Sequence, residues 1–360
     1  MTMGTRTNRN ALLVGSLPFD DEPEAMQVAM DKIGPALMAL PDGEIGERTD
    51  AHPKGDRAAW VQTIADRCEA DTDNWTVVRP ATRNEDGFAA DYDSGARLKP
   101  KAKKSELAAQ LDLGWSTFAR QSYPLFKAQA DQAGRTDLRF QVGLPTALGM
   151  TFGMMSPPNA LRYASAFTER LATEANEILD FTNGDVQFQL EVPGELAMAY
   201  RLPKFAVSIA LRTVLDLVKQ IRPEAPFGIH LCFGDLNNEA LISAPSLDKM
   251  VHFTNQLIAG WPSTHELNYV HVPLAEASDP PPVDPAWYAP LADMNLPADV
   301  RFVAGFVHDK RSVEEHHQIL EILDQLRPEG VDVSSSCGLG RRDRATALAL
   351  LEMTEQLTQH

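Results

Sequence analysis

Cysteine is scarce in this chain. Its 360 residues hold three, Cys68, Cys232 and Cys337, spaced far apart. That spacing makes a disulfide framework a poor reading and free thiols or thiolate ligands a better one. Long apolar runs are also missing. Nothing approaches the roughly 20 residues that a membrane-spanning helix requires, and no apolar signal segment follows the opening MTMGTRTNRN, so a cytoplasmic protein is expected. Positive charge is in deficit, with 33 Lys and Arg against 50 Asp and Glu, a formal charge of -17. Nucleic acid and anionic membranes are disfavoured as partners, since either needs a basic face. A small substrate is not, because a local pocket can oppose the global sign.

Forty-four per cent of the residues are hydrophobic and 23% charged, enough to bury the core of one large α/β barrel or of two ordinary domains. Short runs rich in Val, Ile, Leu and Phe recur at 11–18, 36–44, 138–146, 185–193, 227–235, 267–275, 300–309 and 331–340. Between most of them lie stretches with helical apolar spacing: EPEAMQVAMDKIG, NALRYASAFTERLATEANEILDF, FAVSIALRTVLDLVKQI and SVEEHHQILEILDQL. The last opens with a capping box, Ser312 and Glu315. Eight strands alternating with helices predict a single (β/α)8 TIM barrel spanning 1–360, with a doubly wound sheet as the alternative. Residues 45–137 break the rhythm. They hold two helical stretches around a polar segment and are read as an insertion between strands 2 and 3, lying over the barrel mouth. The proline-rich SDPPPVDPAW at 278–287 reads as a stiff loop within the domain.

In barrels of this kind the chemistry sits at the C-terminal strand ends. Here those ends carry Ser16, Asp42 and Glu44, Thr146, Glu191, His230 and Cys232, His271, His308 and Asp309, and Cys337. Strand ends are polar in any case because loops begin there, yet His and Cys are uncommon residues. His230 and Cys232 are two apart and would face the same side of their strand. With Cys337 on the same rim they make a soft N/S set suited to Zn²⁺ and leave a fourth tetrahedral position for substrate. The plainer alternative is a core His beside a Cys acting as a small hydrophobe. Cys68, in the inserted helix, reads as a packing residue, and His316 and His317 as solvent-facing.

VGSLP at 14–18, FQLEVP at 188–193, HLC at 230–232 and SSSCGLGRR at 334–342 resemble the catalytic barrel of cobalamin-independent methionine synthase, in the superfamily that includes uroporphyrinogen decarboxylase and the coenzyme M methyltransferases. The resemblance runs from strand one to the last helix and leaves out 45–137. It implies that His230, Cys232 and Cys337 are zinc ligands and that Ser16 and Glu191 handle a thiol substrate. The chain departs from the pattern: QLEVP replaces a D-E-P triplet, no S-I-E motif supplies the usual glutamate ligand, and an N-terminal barrel is absent. His271, or Glu266 at the start of the same strand, is the candidate fourth ligand. LPDGEIGER at 40–48 lies outside the family pattern and reads as a subfamily feature.

The expected activity is therefore zinc-dependent methyl or alkyl transfer to the thiolate of a small substrate, since coordination deprotonates a thiol outright. Asp42, Glu44 and Glu191 could bind an ammonium group. Arg341 or Arg342 could bind a carboxylate or simply begin the last helix in solvent. His308 could protonate a leaving group. The partners would be a small thiol and a methyl or alkyl donor, with homo-oligomerisation open. A lyase or decarboxylase using the same mouth, and a non-catalytic binding barrel, are the other classes that fit.

Overall fold

The structure is a computed structural model and describes residues 9–203 and 207–360. The chain enters through α1 (Glu22–Lys32) and β1 (Leu40–Pro41), followed by α2 (Trp60–Ala70), the strands β2 (Trp75–Arg79) and β3 (Arg97–Pro100), α3 (Lys104–Gln110) and α4 (Trp115–Gln132). A β/α alternation then takes over. It runs through β4 (Phe140–Pro145), α5 (Ala147–Met154), α6 (Pro157–Thr182), β5 (Val186–Glu191), α7 (Pro193–Arg201), α8 (Val207–Gln220), β6 (Phe227–His230) and α9 (Asp248–Ala259). It finishes with β7 (Leu267–Pro273), the short α10 (Pro285–Tyr288), β8 (Arg301–Val307), α11 (Val313–Leu326), β9 (Asp332–Ser335) and α12 (Arg344–Thr358). The helix predicted to start at Phe205 has its first two residues outside the described residues. Its remainder is α8.

Seven strands form one all-parallel sheet in the order β1-β4-β5-β6-β7-β8-β9. Every residue of β5, β6 and β9 is buried, as expected of parallel strands covered on both faces. The sheet curls: Leu12, Tyr269 of β7 and Val303 of β8 pack together, and Tyr269 Oη donates to Gln189 Oε1 of β5 at 2.9 Å. Outside, helices follow one another around the curl, with α12 on α1, α1 on α4, α4 on α6, α6 on α8 and α8 on α9. The strand expected at 11–18 is reduced to a bridge on each side of Ala11, one to Leu37 ahead of β1 and one to Val333 in β9. Leu12 N–H donates to Val333 O at 3.0 Å and Met38 N–H to Ala11 O at 3.0 Å, so this segment lies between the two edge strands.

The block at 45–137 has more structure than its polar composition predicts. The polar segment supplies β3, which pairs antiparallel with β2 just ahead of it, and the second helical stretch, LAAQLDLGWSTFARQSYPLFKAQA, is two helices separated by Leu111–Gly114 with Gly114 at φ 92°. Cys68 is buried among apolar neighbours, and burial pushes its thiol up to about 12, in keeping with a packing role. Among the described residues no helix is long and apolar enough to cross a membrane.

Candidate metal centre

β6 ends at His230, earlier than its apolar run predicts, so Cys232 lies in the turn beyond the strand rather than within it. The chain stays extended for one more residue, Leu231 N–H donating to His271 O at 3.1 Å. It then turns at Gly234, whose N–H points at Cys232 Sγ from 3.2 Å. Cys337 likewise follows the end of β9, where Ser335 Oγ donates to the Cys337 carbonyl at 2.7 Å. The two turns bring the sulfurs of Cys232 and Cys337 to 3.6 Å and Cys337 Sγ to 3.7 Å from His230 Nε2. All three donor atoms lie within 4.8 Å of one another.

These separations can be compared with what a metal would demand. Sulfurs about 2.3 Å from a tetrahedral Zn²⁺ stand about 3.8 Å apart, and a sulfur and an imidazole nitrogen about 3.6 Å. The two Cys337 separations match those values, and the His230–Cys232 pair is within 4.8 Å, so the donor set is compatible with the ion. The shared hydrogen bond with Cys232, then burial, then the Asp235 charge hold the Cys337 thiol well above its usual range. A proton is retained there until a cation displaces it.

His271 takes a different place from the one expected. Its Nδ1 lies 2.8 Å from His230 Nδ1 and its Nε2 2.9 Å from the carbonyl of Ser335, so both nitrogens are engaged and neither faces the sulfurs. It stands behind His230 and is not a fourth ligand. Glu266 precedes β7, at the opposite end of the strand from the sulfurs. Burial lowers both rings, that of His230 well below its usual value with His271 adding to the effect, and that of His271 to about 4. Both are neutral at physiological pH.

The acids gather beside this centre. Asp42, Glu44 and Glu191 line a cavity of about 40 Å³ together with Arg57, Trp60 and Trp115. His230 is not among its walls, but Glu191 is paired with His230 across β5 and β6, so their side chains leave the same face of the sheet. Arg57 binds Asp42 at 2.8 Å and Glu22 at 3.3 Å. Burial opposes ionisation of Asp42, yet the charge and hydrogen bond of Arg57 outweigh it and the net shift is downward. No such partner holds Glu44 or Glu191 among the described residues. Burial, then the Asp42 charge, raises Glu44 to about 7, while burial and then Glu44 raise Glu191 well above the carboxylate range. Gly143 of β4 makes room for both, since a methyl group there would stand 2.6 Å from Glu191 Oε1 and 3.1 Å from Glu44 Oε1. Glu44 itself has φ 54°, a strained backbone for a residue with a side chain.

Ser16 sits against the turn that carries Cys337: its carbonyl accepts from Leu339 N–H at 2.8 Å and its hydroxyl from Gly340 N–H at 3.4 Å. Arg341 donates to Ala58 O at 2.6 Å and lies over the Phe88 ring. Arg342 is already committed, to Asp309 at 3.1 Å and Ala277 O at 2.8 Å, which leaves it poorly placed for a substrate carboxylate. His308 also departs from expectation. Its Nδ1 accepts from Lys310 N–H at 3.1 Å and its Nε2 lies 3.0 Å from Ala277 O and 3.2 Å from Arg342 Nη2, so both ring nitrogens are engaged within the protein. His316, expected in solvent, is buried, with Nε2 accepting from His308 N–H at 3.1 Å. Arg57 was not singled out from sequence, because nothing in GDRAAW marks its partner. Gly143 was detectable: an isolated glycine within a strand signals a close approach.

The chain is a parallel β/α protein whose strand ends gather one imidazole and two thiols, a group that could hold a metal ion. Its fold is similar to that of a B12-independent methionine synthase from Shewanella sp. W3-18-1 in complex with selenomethionine, with a TM-score of 0.59 and 12% identity over 98% of each chain. A putative vitamin-B12 independent methionine synthase from Listeria monocytogenes aligns at TM-score 0.39 and 12% identity over 63% of this chain and 65% of that one. The β-glycosidase of Thermosphaera aggregans aligns at TM-score 0.39 and 10% identity over 98% and 97%. Neither of these two is close enough to carry an argument. No family model and no curated protein sequence matches the chain.

Proposed function

We propose that the chain is a zinc-dependent enzyme that transfers a methyl or alkyl group to the thiol of a small substrate. The observation that carries this reading is the mutual spacing of His230 Nε2, Cys232 Sγ and Cys337 Sγ. These three residues would hold the ion, and a bound Zn²⁺ would supply the Lewis acidity that keeps a substrate sulfur deprotonated. Two cysteine ligands cancel its charge, which suits sulfur alkylation better than water activation.

The protein's own groups would do the rest. Glu44 and Glu191, neither ion-paired with a cation among the described residues although the charges of Arg57 and Arg341 act on Glu44, would take a substrate ammonium group, and that cation would draw both carboxyls into their charged form. Asp42, neutralised by Arg57, would hold the Glu44 turn through its bond to Glu44 N–H at 3.0 Å rather than bind substrate itself. Ser16 would pack beside the thiol and fix the Cys337 turn, and Arg341 is the remaining candidate for a carboxylate. The fold reading that goes with this is a closed barrel with 10–12 as its eighth stave; of the block expected at 45–137 to lie over the mouth, 45–114 would do so, while α4 packs among the outer helices against α1 and α6. Tyr92 Oη already donates to Glu239 O at 2.9 Å, in the loop that follows Cys232.

Metal analysis of the purified protein tests the proposal. About one zinc per chain is expected, lost in Cys232→Ser and retained in Glu191→Gln. Added small thiol should contribute a new zinc–sulfur scatterer near 2.3 Å by X-ray absorption. A protein that takes up no zinc, or whose zinc spectrum ignores the thiol, would leave the lyase reading in its place.

A further inference from the structure

Three buried groups run in a line behind the proposed ligands. Ser335 O, at the end of β9, faces His271 Nε2 at 2.9 Å, and His271 Nδ1 faces His230 Nδ1 at 2.8 Å. His230 Nε2, at the far side of that ring, is 3.7 Å from Cys337 Sγ. The two histidines are buried, His271 at 0% and His230 at 2% exposure, while Cys337 is half-buried at the open end of the line.

The contacts of the line favour one proton arrangement, although the Leu231 carbonyl also acts on the His271 ring. A carbonyl oxygen only accepts, so His271 Nε2 carries its proton and donates it to Ser335. A neutral imidazole has a single N–H, which leaves His271 Nδ1 bare. His230 Nδ1 must then be the donor across the 2.8 Å contact, and His230 Nε2 is left with a lone pair directed toward the sulfurs. We infer that His271 is a positioning residue: through Ser335 O it fixes the tautomer and the ring orientation of His230, so that Nε2 is presented to a soft metal ion before the ion arrives. This rests on the proposed role of His230, Cys232 and Cys337 as the ligand set.

The line also has to cross a strand. β8 lies between β7, which carries His271, and β9, which carries Ser335. The crossing is open because residue 305 is glycine: a methyl group there would stand 2.6 Å from His271 Nε2 and 3.0 Å from Ser335 O. Ser335 is also joined to the third ligand, through its hydroxyl bond to the Cys337 carbonyl. The line thus couples the strands that deliver His230 and Cys337, although those strands are not neighbours in the sheet.

Competition for Zn²⁺ against a chromophoric chelator, with wild type and three variants, tests the assignment. His271→Gln keeps an amide oxygen to accept from His230 and an N–H to donate to Ser335, so it should bind zinc within a few-fold of wild type. His271→Leu and Gly305→Ala should weaken binding about 10- to 100-fold, the range lost when such supporting contacts are removed. If His271→Leu binds as tightly as wild type, or Gln and Leu weaken binding equally, the positioning role is wrong. If wild type itself binds no zinc, the ligand assignment fails instead. A readout independent of these variants is the ¹⁵N spectrum of the histidines in the metal-free wild type. It should show His230 protonated at Nδ1 and His271 at Nε2, and the opposite tautomer at either ring would overturn the inference even if a variant failed to fold.

Discussion

Glu195 shows how much a single buried carboxyl can do outside the centre. It is fully buried in the first turn of α7; Thr213 Oγ1 lies 3.1 Å from its Oε1, and Oε2 has no partner among the described residues. Burial raises it from 4.5 to about 7. The folded protein keeps this proton up to about pH 7, whereas the unfolded chain releases it near 4.5, so the group's contribution to stability is whole below 4.5 and is lost as pH rises through 7. Glu195→Gln mimics the protonated form at every pH. Relative to wild type it should gain stability across that window, reaching roughly 3 kcal/mol at alkaline pH, as a shift of this size implies. Urea unfolding of both proteins at acid and alkaline pH measures it; an equal difference at the two pH values would refute the assignment.

Among the elements, β5 and α11 were the most legible. The run at 185–193 folds as Val186–Glu191, and the Ser312–Glu315 capping box closes in both directions. Ser312→Ala should therefore cost about 1 kcal/mol in thermal or urea unfolding without touching metal binding. The same helix shows what was overlooked. His316 shares its face with Ile319, Leu320 and Leu323, all buried, so the three- and four-residue spacing already placed it inward while its polar neighbours drew the opposite reading. The split between α3 and α4 was harder to see, because both halves keep a helical period and only Gly114 interrupts them. That His230, Cys232 and Cys337 come together was readable from residue type, since few other roles bring His and Cys to strand ends. The tautomer line was not, because it depends on a backbone carbonyl that no side-chain pattern records.

For the whole molecule, the site should behave as a link between distant parts of the chain. Ion binding that favours only the folded state adds stability in proportion to the logarithm of its concentration over its dissociation constant, about 2.7 kcal/mol at a hundredfold excess. Thermal unfolding should thus move upward with added Zn²⁺ and back with a chelator, and Cys337→Ser should abolish the dependence. The segment at Ala11 has a consequence for how the molecule is made. Asn10 O accepts from Val333 N–H at 3.0 Å, joining residues 323 positions apart, so the first described segment of the chain waits on the last described strand, β9. Loop closure over such a span is a slow event. Cys337 lies just beyond that strand. Until that pairing forms, His230 and Cys232 stand without their third partner, so metal capture would report that two segments far apart in the chain have met.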